Sequence, residues 1–176
     1  MTELLSKTES EGGPSVDDVC SVIFERDEAG EPIVTYWGRL CATPFTRMCM
    51  SANFKLTSLF VEYLVKHRRQ ETLNTVLIDH NLSALHIAAY FGRSETVELL
   101  LNAGSDLRLV DVYGASPLFI ACHNGHAAVV LLLTGKGANL NKAKTDGATP
   151  LYAACCNGHD AVVMLLTDKG ANVNQA

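Results

Sequence analysis

The sequence contains no uninterrupted apolar run of the roughly 18 residues that a membrane-spanning helix requires, so we expect no membrane span. Met1–Ser10 carries two glutamates and lacks the apolar stretch of a secretory signal, which argues against secretion. Acidic residues outnumber basic ones by 19 to 14, and this balance argues against nucleic acid as the main partner. The 48% of apolar residues is nevertheless sufficient for a buried core.

Sequence signatures of catalysis are missing as well. No H-E-x-x-H, G-x-S-x-G, Walker-type or G-x-G-x-x-G pattern occurs. Gly135-Lys136-Gly137 is interpreted as the end of a helix, because the remainder of a phosphate-binding loop does not surround it. The sequence therefore predicts neither an enzyme nor a cofactor.

Cysteine and histidine residues form the one group that suggests a metal site. The residues that could hold zinc are Cys122, His123, His126, Cys155, Cys156 and His159. Equivalent residues of neighbouring helical units lie about 8–10 Å apart, whereas the ligand atoms of one zinc ion lie about 2.0–2.3 Å from it. We therefore interpret these residues as structural and predict no metal. The six cysteines, without a secretory signal, predict free thiols in a reducing compartment, either the cytoplasm or the nucleus.

The most prominent positive feature is a repeat of 33 residues. Six sets of three residues keep this spacing, namely Leu85, Leu118 and Leu151; Ala88, Ala121 and Ala154; Gly92, Gly125 and Gly158; Val97, Val130 and Val163; Leu100, Leu133 and Leu166; and Gly104, Gly137 and Gly170. Such a period is typical of architectures in which similar units stack side by side.

Each unit is predicted to contain a turn followed by two helices. In the second copy Gly114 suits the left-handed backbone of a tight turn, and Asn81 and Gly147 occupy the equivalent positions. Ser116-Pro117 has the residue types that begin a helix, and the second helix ends at Gly137. Because so small a pair of helices cannot cover its own apolar faces, burial has to come from neighbouring units.

The third copy carries a specific family pattern. Its segments Ala148–Ala154, Asn157–His159, Val163–Leu166 and Gly170–Asn174 resemble an ankyrin repeat. The resemblance implies an all-α ankyrin-repeat solenoid of stacked helix-turn-helix units with β-turn or hairpin loops. The histidine that usually follows the family's T-P-L pattern is present as His86 in the first copy, whereas Phe119 and Tyr152 stand there in the others.

The repeat register divides the chain into six segments. We predict ankyrin repeats over residues 78–110, 111–143 and 144–176, a degenerate first repeat over 42–77, an N-terminal capping segment over 14–41 and a disordered acidic tail over 1–13. The capping segment is either a helix, which we favour, or a hairpin. Residues 1–31 hold nine acids and two bases, which indicates a solvated segment or, alternatively, one that folds back on a basic patch.

No capping repeat is found at the C-terminal end of this sequence. We therefore expect the apolar side of Val162, Leu165 and Leu166 to be partly uncovered. On this interpretation the chain is a piece of a longer protein, or something packs against its last repeat.

The resemblance also implies a protein partner bound at the concave face, meaning the turn tips and the exposed positions of the first helices. The candidate binding residues, carried over by position, are His80, Leu82, Tyr90, Phe91, Val112, Tyr113, His123, Asn124, Asp146, Cys156 and Asn157. We expect these positions to have no role in the core, and we expect Tyr90, Phe91 and Tyr113 to form the centre of the surface. Phe91 could alternatively cover the degenerate first repeat. The third copy is expected to offer only polar groups.

These observations together predict a monomeric, non-catalytic module or scaffold for protein–protein interaction. The alternative is a targeting or regulatory region of a larger enzyme or channel that continues beyond the C-terminus. Catalysis by the chain itself would need a cleft of perturbed titratable groups, and no such cleft is indicated by the sequence.

Overall fold

The computed structural model describes Cys49, Arg68 and residues 54–66, 73–74, 76–77 and 80–174. The predicted tail over residues 1–13 and the capping segment over 14–41 lie outside the described residues. Most of residues 42–53 lie outside them too, so the boundaries of the degenerate first repeat, 42–77, stay a prediction.

The described residues contain seven helices of seven residues or more and one short hairpin, joined by turns. In chain order they are α1 (Phe54–Lys66), β1 (Val76–Leu77), β2 (Leu82–Ser83), α2 (Ala84–Tyr90), α3 (Ser94–Asn102), α4 (Pro117–His123), α5 (Ala127–Gly135), α6 (Pro150–Cys156) and α7 (Asp160–Asp168). The two strands pair antiparallel, with Leu77 opposite Leu82.

The first helix of each repeat begins with the predicted cap. The hydroxyl oxygens of Ser116 and Thr149 accept hydrogen bonds from the backbone N–H groups three residues later, at 3.2 and 3.1 Å. Proline occupies the first helical position in both helices. Each cap satisfies a backbone donor that the helix itself leaves unpaired, which explains why these helices begin where they do.

The turn before each of these helices has the predicted left-handed backbone. The φ angles are +53° at Asn81, +77° at Gly114 and +90° at Gly147. Asn81 lacks the freedom of glycine, but its side-chain amide donates a hydrogen bond of 2.6 Å to the carbonyl of Val110 at the end of the same repeat. This contact helps to hold the first turn in its conformation.

The helices form two layers with one continuous core between them. Helices α2, α4 and α6 pack against one another as an inner layer, while α1, α3, α5 and α7 form an outer layer. The equivalent leucines of the repeat line up within this core: Leu85, Leu118, Leu151, Leu100, Leu133 and Leu166 are all buried. The prediction of an all-α solenoid is therefore confirmed.

Helix α1 lies in the outer layer beside α3, where it buries Phe60, Val61 and Leu64. The place of α1 is the one that the second helix of a preceding repeat would take.

The expectation for the last repeat is wrong in part. Val162 and Leu166 are fully buried, because they face their own inner helix and the preceding repeat. Leu165 is half-buried, as expected. Tyr152 and Cys155 are exposed too, whereas their equivalents in the second repeat, Phe119 and Cys122, are buried. The inner helix of the last repeat is therefore more exposed than the inner helix of the second repeat.

Candidate functional site

The turn tips are connected to one another by hydrogen bonds between repeats. The backbone N–H of Val112 donates to the carbonyl of His80 at 3.2 Å, and the N–H and hydroxyl of Thr145 both donate to the carbonyl of Tyr113 at 3.0 Å. Within the second tip, Asp111 Oδ1 accepts from the N–H of Tyr113 at 2.9 Å. The backbone of Tyr113 is thus held on two sides, while 61% of the residue is exposed.

Tyr90 and Phe91 stand at the end of helix α2. Their rings meet edge to face, with centroids 5.1 Å apart and planes at 74°. Tyr90 is 47% exposed, whereas Phe91 is half-buried and packs against the core. The two neighbours therefore have different roles, because the chain turns back toward the core immediately after the helix.

A second aromatic pair lies in the middle of the inner layer. The rings of Phe119 and His123 on α4 are nearly parallel, at 13°, with centroids 6.4 Å apart. Lys144 Nζ lies 5.3 Å from the centre of the Phe119 ring and 3.0 Å from Asp146 Oδ2. The ammonium group is therefore occupied within the protein by a carboxylate and an aromatic face.

Asn124 and Asn157 follow helices α4 and α6 directly and hold the ends of these helices. Asn124 Nδ2 donates to the carbonyl of Ile120 at 2.9 Å, and Asn157 Nδ2 donates to that of Ala153 at 2.8 Å. Asn157 Nδ2 also lies 3.1 Å from His123 Nδ1 in the neighbouring repeat. These amides thus stabilise the repeats as well as facing outward.

The histidines that begin the outer helices connect adjacent repeats. His126 Nε2 lies 2.9 Å from the carbonyl oxygen of Tyr90, and His159 Nε2 lies 3.0 Å from that of His123. A Cβ atom at Gly125 would come within 2.5 Å of the His159 ring, so the ring rests directly on the glycine. Their ring nitrogens point at backbone carbonyls, which supports the structural interpretation of these histidines.

His86 is the one histidine in the described residues that is completely buried. Its Nδ1 lies 3.2 Å from the backbone nitrogen and 2.8 Å from the hydroxyl of Ser83, and its Nε2 lies 3.2 Å from the carbonyl oxygen of Ala115 in the next repeat. Burial lowers the pKa of His86 to about 4, although the hydrogen bond to Ala115 and the carboxylate of Asp111 oppose this shift. The side chain is therefore a neutral bridge between repeats.

The thiols of the described residues differ in their surroundings. Burial raises the pKa of Cys49 and Cys122 to about 12, so these two thiols stay protonated. Cys155 and Cys156 are exposed, and all four are unpaired thiols. Among the described residues, no three histidine, cysteine or acidic side chains come together as a metal site would require.

The comparison with protein families decides the assignment. Residues 85–176, somewhat more than half of the chain, match the family model described as ankyrin repeats, in three copies. The chain belongs to the ankyrin-repeat family. A search of curated proteins gave no match.

Ankyrin repeats are generally modules for protein–protein interaction, and the family is generally non-catalytic. Within the part of the chain that the structure describes, no helix is long and apolar enough to cross a membrane. A protein partner is therefore the class of ligand that the ankyrin repeats of this chain indicate.

The predicted binding residues fall into two groups on the ankyrin stack. Tyr90, Val112, Tyr113, His123, Asp146, Cys156 and Asn157 are exposed, whereas His80, Leu82, Phe91 and Asn124 are half-buried. Leu82 and Phe91 pack against the core, so the expectation that none of these positions has a core role is wrong for these two. For Phe91, the alternative that it covers the degenerate first repeat stays a prediction.

Sequence reasoning missed Tyr152 as a surface residue. Tyr152 is 49% exposed on α6, and its hydrogen bond with the Cys156 thiol raises the pKa of the tyrosine. The expectation that the third ankyrin repeat offers only polar groups is therefore wrong. Tyr152 stands at the same repeat position as Phe119, and this was a signal for an apolar residue in the inner layer. Tyr152 is exposed because no further repeat covers it among the described residues.

Proposed function

We propose that this chain is a non-catalytic protein–protein interaction module or scaffold that binds a partner through the concave face of its ankyrin repeats. Tyr113 is the proposed centre of the contact, and Tyr90 is proposed to flank it on the first inner helix. Both are aromatic residues with a polar end, the class that most often carries binding energy at interfaces.

The observation that carries this proposal is the presentation of Tyr113. Its backbone N–H donates to Asp111 Oδ1 at 2.9 Å, and its carbonyl accepts two hydrogen bonds from Thr145 at 3.0 Å. A large apolar ring on so well-held a backbone loses little conformational freedom when it binds, which favours affinity.

The same proposal assigns no catalytic step to the chain. Its buried thiols are held protonated by pKa values near 12, and its buried His86 is occupied by Ser83 and Ala115. These groups act within the fold and are not presented to a substrate.

We further propose that the chain works as a monomer in the cytoplasm or nucleus, with a protein and not a nucleic acid as its partner. The four unpaired thiols of the described residues support a reducing compartment. Residues 80–174 hold seven acids and six bases, a net charge of −1, which does not favour binding to phosphates. Sedimentation analysis tests the oligomeric state, and imaging of the tagged full chain tests the compartment.

The experiment compares pull-downs from cells with the intact chain and with a Tyr90→Ala/Tyr113→Ala double variant, followed by quantitative mass spectrometry. The matched control is Leu131→Ala/Met164→Ala, since both side chains are exposed on the outer helices, at 53% and 66%. We expect the tyrosine variant to lose the partner and the control to retain it.

For a purified partner, Tyr113→Ala is expected to weaken binding by about 1–3 kcal/mol, which is roughly 5- to 150-fold in Kd. An unchanged Kd, with the circular dichroism and melting temperature of the variant intact, would remove Tyr113 from the site. Loss of the partner by the Leu131→Ala/Met164→Ala control alone would place the site on the outer helices instead.

A further inference from the structure

We infer that the concave face of the second and third repeats recognises an uncharged protein segment, through aromatic, aliphatic and amide contacts. This inference rests on the proposed function and adds the chemistry of the partner. It predicts that binding depends little on ionic strength.

The first observation is the composition of the inner layer. Helices α2, α4 and α6 read ALHIAAY, PLFIACH and PLYAACC, without a single Asp, Glu, Lys or Arg. The charged side chains of the helices in residues 80–174 lie on the outer helices α3 and α7, as Glu95, Glu98, Asp160 and Asp168. The floor of the concave face is therefore free of formal charge in all three described repeats.

The second observation concerns the charged residues of the turns in the second and third repeats, which are engaged within the protein. Lys144 Nζ lies 3.0 Å from Asp146 Oδ2, and only 24% of the Lys144 side chain is exposed. Asp111 Oδ1 accepts from the N–H groups of Tyr113 and Ala115, at 2.9 and 2.8 Å. A charged group of a partner would meet attraction and repulsion together at the Lys144–Asp146 pair, so this pair offers no net charge to complement.

The third observation is that, apart from the Lys144–Asp146 pair, the exposed side chains of these turns and inner helices carry no carboxylate, ammonium or guanidinium group. Val112, Tyr113 and Tyr152 are 50%, 61% and 49% exposed. Asn157 Nδ2 donates to the Ala153 carbonyl, which fixes the orientation of its amide, so the nearby His123 Nδ1 acts as an acceptor. The hydrogen of a neutral His123 ring then lies on Nε2, where it can donate to a carbonyl or amide oxygen.

The partner chemistry follows from matching these groups. Apolar and aromatic side chains pair with the tyrosine rings and Val112, while backbone or side-chain amides pair with His123 and the tyrosine hydroxyls. Contacts of this kind are short-range and neutral, whereas a contact between charged surfaces is screened over about 8 Å at physiological salt.

The probe is a phage-displayed library of random peptides, selected on the full chain and counter-selected on Tyr113→Ala. We expect the enriched peptides to be rich in aromatic and amide residues and to have a net charge near zero. Affinity of a synthetic enriched peptide is expected to change by less than about two-fold between about 50 mM and about 500 mM sodium chloride.

A charge-neutralising variant provides an independent measurement. Lys144→Gln removes the ammonium group of the pair, and peptide affinity is expected to stay within about two-fold of the unsubstituted chain, because an uncharged segment does not depend on that charge. Far-ultraviolet circular dichroism checks that this variant is folded.

The outcomes separate the two proposals. Enrichment of strongly acidic or basic peptides, or an affinity that falls about ten-fold or more with salt, overturns the inference about partner chemistry and leaves the concave site standing. Failure to enrich any peptide that depends on Tyr113 overturns the proposed function, and the inference falls with it.

Discussion

Buried His86 is expected to make the folded chain sensitive to acid. Its pKa of about 4 in the folded state lies well below the ordinary value of 6.5. Well above pH 6.5 the side chain is neutral whether the chain is folded or unfolded, so His86 does not lower the free energy of unfolding there. Between pH 6.5 and 4 His86 is protonated in the unfolded chain but not in the folded chain, so the free energy of unfolding falls as the pH is lowered.

The magnitude follows from the difference between these pKa values. A difference of about 2.5 units corresponds to roughly 3 kcal/mol of lost unfolding free energy at pH 4, with a slope approaching 1.4 kcal/mol per pH unit. Protonation would also place a hydrogen on Nδ1, which faces the backbone N–H of Ser83 at 3.2 Å. That arrangement sets two donors against each other and weakens the contact between His86 and the backbone of Ser83 at the start of α2.

Urea unfolding at several pH values between 7 and 4 tests this prediction, with His86→Gln as the variant. Glutamine keeps a hydrogen-bond donor but does not titrate, so the variant should be less stable at pH 7 and should lose less stability on acidification. The matched control is Leu118→Ala, which removes core volume and no titratable group, so its loss of stability should be the same at every pH. Parallel curves for His86→Gln and the unsubstituted chain would refute the assignment of a depressed pKa to His86.

Three substitutions test the packing between and within repeats. Gly125→Ala should destabilise the folded chain by about 2–4 kcal/mol, since the backbone there is left-handed and the new methyl would strike the His159 ring. In a His159→Ala background the cost should fall to about 1–2 kcal/mol. Equal costs in the two backgrounds, measured by thermal melts, would argue against the contact. Ser105→Ala should stabilise the chain by about 1 kcal/mol in urea melts, because its hydroxyl is buried without a hydrogen-bond partner among the described residues. A loss of stability would reveal a partner for it. Leu118→Ala should cost about 2–5 kcal/mol, and a value below 1 kcal/mol would contradict its central place in the core.

The helices, caps and turns could be predicted from the sequence because each depends on local physics. Ser116 and Thr149 begin helices through hydrogen bonds that span three residues, and Gly114 and Gly147 permit a backbone that few other residues adopt. The period of 33 residues then places equivalent leucines in one core, since stacking is the only arrangement that covers them.

The contacts between repeats could not be predicted in the same way. The bridge from His86 to Ala115 depends on the distance between two repeats, and residue types alone do not specify it. The same holds for Tyr90 and Phe91, which are adjacent in sequence and differ in exposure because of a single turn of the chain. Tyr152 shows that the exposure of a repeat position depends on whether another repeat covers it.

Site-specific photo-crosslinking in cells tests the central claim most directly. A benzophenone amino acid replaces Tyr113 at the exposed turn tip in one sample and Leu131 on the outer helix α5 in another. The concave-face account predicts a discrete crosslinked protein from position 113 and none from position 131. Crosslinking from position 131 alone would contradict it and would place the interaction on the opposite side of the repeats.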